Sequence, residues 1–367
     1  MDFAFSEEQE MLRSQARAYL ADRFPPERVA ELADAEVPPG LGDLAWGEIA
    51  ELGWIGLSVP ESHGGAGMGF LDEAVLFEEL GRALYPGPYF ATVALAIPAL
   101  HAGGADLTDV ISGAAAATLA WAEPSGPNRL DARGALATTA EESAAGWTLT
   151  GDKVLVPDLT VAGRVAVVAA APAGVGIWEA AGRGLDMRAL VSTDTTRRLG
   201  TLTLAASSAL PLVAPGAGER VVAAIRSRAH AALALEAVGV ASKALEGAVS
   251  FARERNQFGK PIGSYQAVAH PIATTYMETE LARSLAYWAA WCVAEDDAQA
   301  PVAAAAAKSF AAEAAVAACE RSMQVHGGVG FTWEHPLHRY YKRARWIESF
   351  DGFGPAQRAS VADALLG

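Results

Sequence analysis

Cysteine is nearly absent from this chain: Cys292 and Cys319 are the only two in 367 residues. Both lie in alanine-rich stretches with no CxxC spacing, which excludes a disulfide framework and a cysteine metal site and leaves buried, inert thiols as the expectation. Positive charge is also scarce. With 28 Lys and Arg against 43 Asp and Glu, a net charge of -15, the chain lacks the clustered cations that neutralise phosphates, so no nucleic-acid partner is expected. No uninterrupted apolar run reaches the roughly 20 residues of a membrane span. The most apolar segment, Tyr89 to Leu100, is broken by Pro98 and reads as a buried helix. The opening, Met1 to Glu8, is acidic and has neither the basic region nor the apolar core of a secretion signal, so a cytoplasmic protein with no membrane partner is expected. Missing motifs narrow the chemistry further. There is no HExxH, and Pro336 interrupts the helical face that His335 and His338 would need, which excludes a zinc site there. There is no GxSxG elbow. The glycine clusters are not followed by Lys-Ser/Thr and do not sit between a strand and a helix, as phosphate loops and dinucleotide fingerprints do.

What the chain has is length and apolar residues. At 367 residues and 51% apolar content it can bury two or three structural units. Low charge and abundant alanine suit closely packed helices with limited exposed surface, as in an oligomer. Ser6 stands as an N-cap before an acidic first turn, and the pattern stays helical to about Ala102, with Gly64 to Gly69 as a break. From about Ala117 to Pro215 the texture is β-like, in Trp147–Thr150, Val165–Ala169, Gly176–Trp178 and Leu199–Leu204, joined by Gly, Pro and Asp turns. Beyond Gly218, apolar residues recur every three or four positions from Val221 to Arg255, which predicts one long helix. Pro271–Glu295 and Pro301–Val325 follow, and with the segment after Pro336 they predict a four-helix bundle. Gly239, Ala241, Ala244 and Gly247 would let a neighbour approach the first long helix closely. The fold class is therefore α+β: a helical domain over 1–115, a middle β-barrel or sandwich over 116–216, and a C-terminal bundle over 217–367.

Two motifs carry chemistry. The first is Arg255-Asn256-Gln257-Phe258-Gly259-Lys260-Pro261-Ile262 with Gln266, in which Arg255 and Phe258 lie one turn apart and share a face beside a reversal at Gly259. The second is Gln324-Val325-His326-Gly327-Gly328-Val329-Gly330-Phe331. In order and separation they resemble the RxxFGxxI…Q and QxxGGxGF segments of acyl-CoA dehydrogenases. Val59-Pro60-Glu61, Gly64-Gly65, Glu79-Leu80-Gly81-Arg82, Glu123-Pro124 and Gly151-Asp152-Lys153 extend the resemblance over nearly the whole chain. It implies the helical, β, helical fold of that family and FAD as cofactor. Arg255, Phe258 and Gln266 would reach the FAD of a neighbouring subunit, and Gln324, Gly327 and Gly328 its ADP half, which implies a homo-oligomer or a heterotetramer with a sister subunit. The implied partners are an acyl-CoA or acyl-carrier thioester and an electron-transfer flavoprotein or similar acceptor.

In that family a carboxylate removes the α-proton while the β-hydride passes to the flavin. Asp351, in Phe350-Asp351-Gly352-Phe353, falls at the base position, where relatives commonly have Glu; the alternative base position, on the first long helix, is Ala229. Glu123, Gly126, His230, Gly352 and Arg358 fall at substrate-contacting positions. Phe353 stands for the usual Thr, His230 for the usual Arg, and Gly126-Pro127-Asn128 for Gly-Ser-Asp. Three activities fit the resemblance: an acyl-thioester dehydrogenase with Asp351 as base, a non-catalytic FAD-binding subunit whose sister chain supplies the base, and a nitroalkane oxidase-like enzyme.

Overall fold

The computed structural model describes residues 5–125, 129–130, 136–181 and 184–367. Gly126, Pro127 and Asn128 lie outside the described residues. The described helices are α1 (Glu7–Arg23), α2 (Pro26–Asp34), α3 (Trp46–Glu51), α4 (Phe70–Ala83), α5 (Ile97–Ala102), α6 (Thr108–Ile111), α7 (Gly218–Glu254), α8 (Gln266–Ala294), α9 (Ala300–His326), α10 (Leu337–Ser349) and α11 (Gly354–Leu366). The strands are β1 (Ala116–Ala120), β2 (Thr139–Ser143), β3 (Gly146–Pro157), β4 (Ala162–Ala171), β5 (Gly174–Ala180), β6 (Leu185–Leu190) and β7 (Leu199–Val213), with a short hairpin of β8 (Asn256–Gln257) and β9 (Lys260–Pro261). They fall into two units. One comprises residues 1–34, 70–85 and 230–367; the other comprises 35–69 and 86–229.

The first unit is helical apart from the hairpin. Ser6 caps α1 as its sequence position predicts: its hydroxyl accepts from Gln9 N, and Gln9 Oε1 accepts from Ser6 N, both at 3.1 Å. Glycine sets how α4 meets α7. A Cβ at Gly81 would stand 2.2 Å from Glu236 O, and one at Gly239 would stand 2.0 Å from Glu78 O, so the backbones touch only because both side chains are missing. Gly239 thus provides the close approach expected of it. α9 fills the interior with alanine and buries Lys308 among them. Its stretch to Phe331 is long and apolar enough to cross a membrane, but 72% of that window is buried inside the protein, as in a core helix. Cys292 and Cys319 are buried and free, and burial pushes both thiols up, helped by Asp297 and Glu320 respectively.

One expectation fails locally. Helix α7 stops at Glu254, and Phe258 sits in the hairpin turn at φ 52 beside Gly259 at φ 80. Positive φ at both central residues is what a two-residue hairpin needs. The reversal at Gly259 stands, but Arg255 and Phe258 do not share a helix face.

The second unit is built on a seven-stranded sheet in the order β1-β4-β2-β3-β7-β5, with β6 also on β7. An additional β4–β5 pairing closes the ladder β4-β2-β3-β7-β5 on itself, the barrel form of the predicted β domain. Trp178, Leu149, Val156, Val167, Leu202 and Leu204 fill its core. The buried segment Phe90–Ala96 is π-helical ahead of α5, and Thr92 Oγ1 ties it to β1 by donating to Ala117 O at 2.9 Å and accepting from Ala117 N at 3.1 Å.

Candidate active site

Asp351 lies in the short connection between α10 and α11, at φ 53, a left-handed conformation that Asp tolerates better than most side chains. It is held from two directions. His230, on α7, places Nε2 2.6 Å from Asp351 Oδ2, with the two side chains 3% and 0% exposed. Gln357, in the first turn of α11, donates Nε2–H to Asp351 O at 2.7 Å and to Gly352 O at 3.3 Å. Beneath the connection, the buried Lys308 ammonium donates to Glu348 O at 3.0 Å, Phe350 O at 2.5 Å and Gly352 O at 2.7 Å. A cation on the last carbonyls of α10 meets the negative end of its dipole. Arg343 on α10 is paired with Glu236 on α7, both buried, so the helix that delivers the connection is itself anchored. Gly352 adopts φ 89. Phe353 is half exposed, and Arg358, also exposed, pairs with Glu313 of α9.

The two sequence motifs emerge close together in the same unit. Phe251, one turn before Arg255, stacks on His326 with ring centroids 4.6 Å apart, and His326 follows Gln324 by two residues. Arg255, Gln266, Gln324 and Gly328 are exposed, and Phe258 is 91% exposed. Val329, Phe331 and Trp333 add exposed apolar surface beside Gly328. A Cβ at Gly327 or Gly328 would meet nothing within 4 Å in this chain. Gly327 needs its φ of 63, but packing in this chain gives no reason for glycine at 328, which fits a backbone kept bare for a group from outside. A guanidinium with no hydrogen-bond or ion-pair partner among the described residues, two amides, open glycines and an unburied aromatic ring suit a diphosphate and a flat ring system.

In the β unit, Glu123 is committed to the fold. Its Oε1 accepts from Lys153 Nζ at 2.7 Å and Thr138 N at 3.0 Å, and its Oε2 from Ala137 N at 2.6 Å. Lys153 Nζ also donates to Trp121 O at 3.2 Å. Burial pushes the Lys153 ammonium down to about 8 against the pull of Glu123. Burial works upward on Glu123, but the Lys153 and backbone hydrogen bonds outweigh it and hold the carboxyl below its ordinary value. Gly126, the neighbouring candidate, is outside the described residues.

Residues 6–108 match the N-terminal domain of acyl-CoA dehydrogenases, and residues 216–366 match their C-terminal domain. The acyl-CoA dehydrogenase IpdE2 of Mycobacterium tuberculosis is 33% identical over 92% of this chain and 91% of its own. The chain belongs to the acyl-CoA dehydrogenase family. Among solved structures, a variant of the Tcur3481–Tcur3483 steroid ACAD matches with a TM-score of 0.87 and 33% identity over 98% of each chain. The ChsE4–ChsE5 complex from M. tuberculosis matches at 0.88 and 28%, over 100% of this chain and 99% of that one. This acyl-CoA dehydrogenase is accordingly a flavoprotein oxidoreductase that uses FAD to dehydrogenate acyl-CoA, with the helical, sheet and helical architecture of its relatives.

Lys308 and Gln357 escaped the sequence reading, and Lys153 entered it only within the Gly151-Asp152-Lys153 segment, with no role. Lys308 did leave a signal, as one cation in an otherwise apolar alanine run, where a buried charge must find partners.

Proposed function

We propose that Asp351 is the general base that removes the α-proton of the acyl thioester. The observation that carries this is the placement of its carboxylate: shut from water, on a connection fixed by Lys308 and Gln357, and oriented by His230. A base prepared in this way needs little reorganisation when the proton arrives. Bound FAD supplies the acceptor for the β-hydride. Arg255, Phe258, Gln266, Gln324, Gly327 and Gly328 would hold FAD across a subunit boundary, with the arginine on the diphosphate and the bare glycine backbone close to it. Gly352 and Arg358 would line the acyl-thioester path. An electron-transfer flavoprotein or similar acceptor would reoxidise the enzyme.

A second assembly is supported by the two solved relatives whose titles name paired chains, Tcur3481–Tcur3483 and ChsE4–ChsE5. In it, this chain joins a sister subunit, and an acyl-CoA with a steroid-derived side chain is the substrate. Anaerobic flavin reduction by butanoyl-CoA, octanoyl-CoA and cholanoyl-CoA, for this chain alone and with a sister chain, separates the possibilities. Asp351→Asn is expected to retain FAD and to lose flavin reduction in either assembly. Full reduction by Asp351→Asn paired with a sister chain would make this chain the structural half of the pair.

A further inference from the structure

His230 and Asp351 are 121 residues apart in sequence, and spacing could not announce their contact. An imidazole nitrogen and a carboxylate oxygen without hydrogen are both acceptors, so a separation of 2.6 Å requires a proton on the line between them. His230 is surrounded along its own helix by Ala231, Ala232, Leu233 and Ala234, all fully buried, which leaves little water to stand in for it. The backbone around Asp351 is secured separately, by Lys308 and Gln357. What His230 adds is the direction of the carboxylate.

We propose that His230 is a positioning residue for Asp351: its Nε2–H···Oδ2 bond holds a side chain one methylene shorter than the family's usual Glu. The pair then works as a unit that carries one shared proton before the reaction and two after it. This rests on the assignment of Asp351 as the base. In the step itself, the substrate Cα–H bond breaks and an O–H bond forms on Asp351. The electron pair of that bond becomes the Cα=Cβ double bond as the Cβ–H bond breaks and its own pair departs with the hydride, for which FAD, when bound, would be the acceptor, while the proton between His230 and Asp351 remains within the pair.

The test compares holoenzyme carrying His230→Gln, which still donates an N–H, with His230→Leu, which does not. Butanoyl-CoA, octanoyl-CoA and cholanoyl-CoA serve as reductants. His230→Leu is expected to lower the limiting rate of flavin reduction about 100-fold, the effect of a displacement of ~1 Å, with little change in acyl-CoA affinity. His230→Gln is expected to recover to within about 10-fold of wild type. A second readout needs no turnover. In protein labelled with 15N-histidine, a low-field imidazole N–H proton is expected, absent in His230→Gln and moved upfield in Asp351→Asn. A wild-type limiting rate in His230→Leu, with Asp351→Asn inactive, would overturn the positioning role and leave the base assignment intact. Wild-type rates in both variants would remove the base assignment as well. If His230→Leu fails to fold, or no thioester reduces the wild-type flavin, the proton signal decides: its absence overturns the pairing.

Discussion

Replacing Lys308 with Met removes the charge that holds the Asp351 connection while keeping the volume of the side chain. In the native protein that ammonium, 1% exposed, serves Glu348 O, Phe350 O and Gly352 O at 3.0, 2.5 and 2.7 Å. Each carbonyl left without a donor costs roughly 1–3 kcal/mol if it stays buried. Against this, the variant no longer buries an ammonium, which offsets part of the loss. Gln357 retains its bond to Gly352 O, which leaves Phe350 O and Glu348 O as the exposed consequences. The net expectation is a destabilisation of about 2–4 kcal/mol, set by two carbonyls left without a donor and partly offset by the ammonium no longer buried. For a unit of this size that corresponds to a fall in Tm of roughly 4–16 °C. Thermal and urea denaturation of the FAD-loaded protein measure it. The rate of flavin reduction should fall more than acyl-CoA affinity does, because the connection carries Asp351. A Lys308→Met variant as stable and as fast as wild type would refute the claim that this ammonium fixes the site.

Gly239→Ala should destabilise the protein by about 1–3 kcal/mol despite the better helix propensity of alanine, because its Cβ would stand 2.0 Å from Glu78 O and force α4 from α7; urea titration checks it. Arg255→Ala should weaken FAD binding roughly 10- to 100-fold without changing helix content, read by flavin fluorescence and circular dichroism, since one charge-assisted contact is lost. For the β unit, Lys153 titrates near 8 when folded, below its ordinary 10.5. Between those values the unfolded chain binds more protons, so this group makes stability rise with pH over that window, and Lys153→Met should flatten the slope. Glu123 is shifted downward, so its contribution is present above the ordinary carboxyl range and is lost as pH falls through its lowered value. Glu123→Gln should therefore remove part of the acid sensitivity of unfolding.

Much of the architecture was legible because it depends on local periodicity. Three- and four-residue spacing set α7, α8 and α9 to within a few residues of their ends, Ser6 marked the start of α1, and Gly239 marked a close crossing. Strands with a clear turn on each side were visible, but β1 was not: its five residues, Ala116 to Ala120, are all buried and show no alternation. β6, Leu185–Leu190, does alternate and was passed over. α11 was implied only by the place of Arg358, so the C-terminal region holds one helix more than the four anticipated. Within the site, the motifs pointed to Arg255, Gln324 and Asp351 individually. The frame around Asp351 was invisible because His230, Lys308 and Gln357 reach it from three different helices, and two of those contacts span 42 and 121 residues. The sequence read His230 as a substrate-contacting position; the structure places it against the carboxylate.

The most direct test of Asp351 as base follows the α-hydrogen itself. Octanoyl-CoA deuterated at the α-carbon is incubated anaerobically with the FAD-loaded protein, and loss of deuterium to solvent is followed by mass spectrometry, with butanoyl-CoA and cholanoyl-CoA treated in parallel. Wild-type protein should wash out the label from at least one of the three, Asp351→Glu should retain the exchange, and Asp351→Asn should show none. Undiminished washout by Asp351→Asn would contradict the assignment and place the base elsewhere.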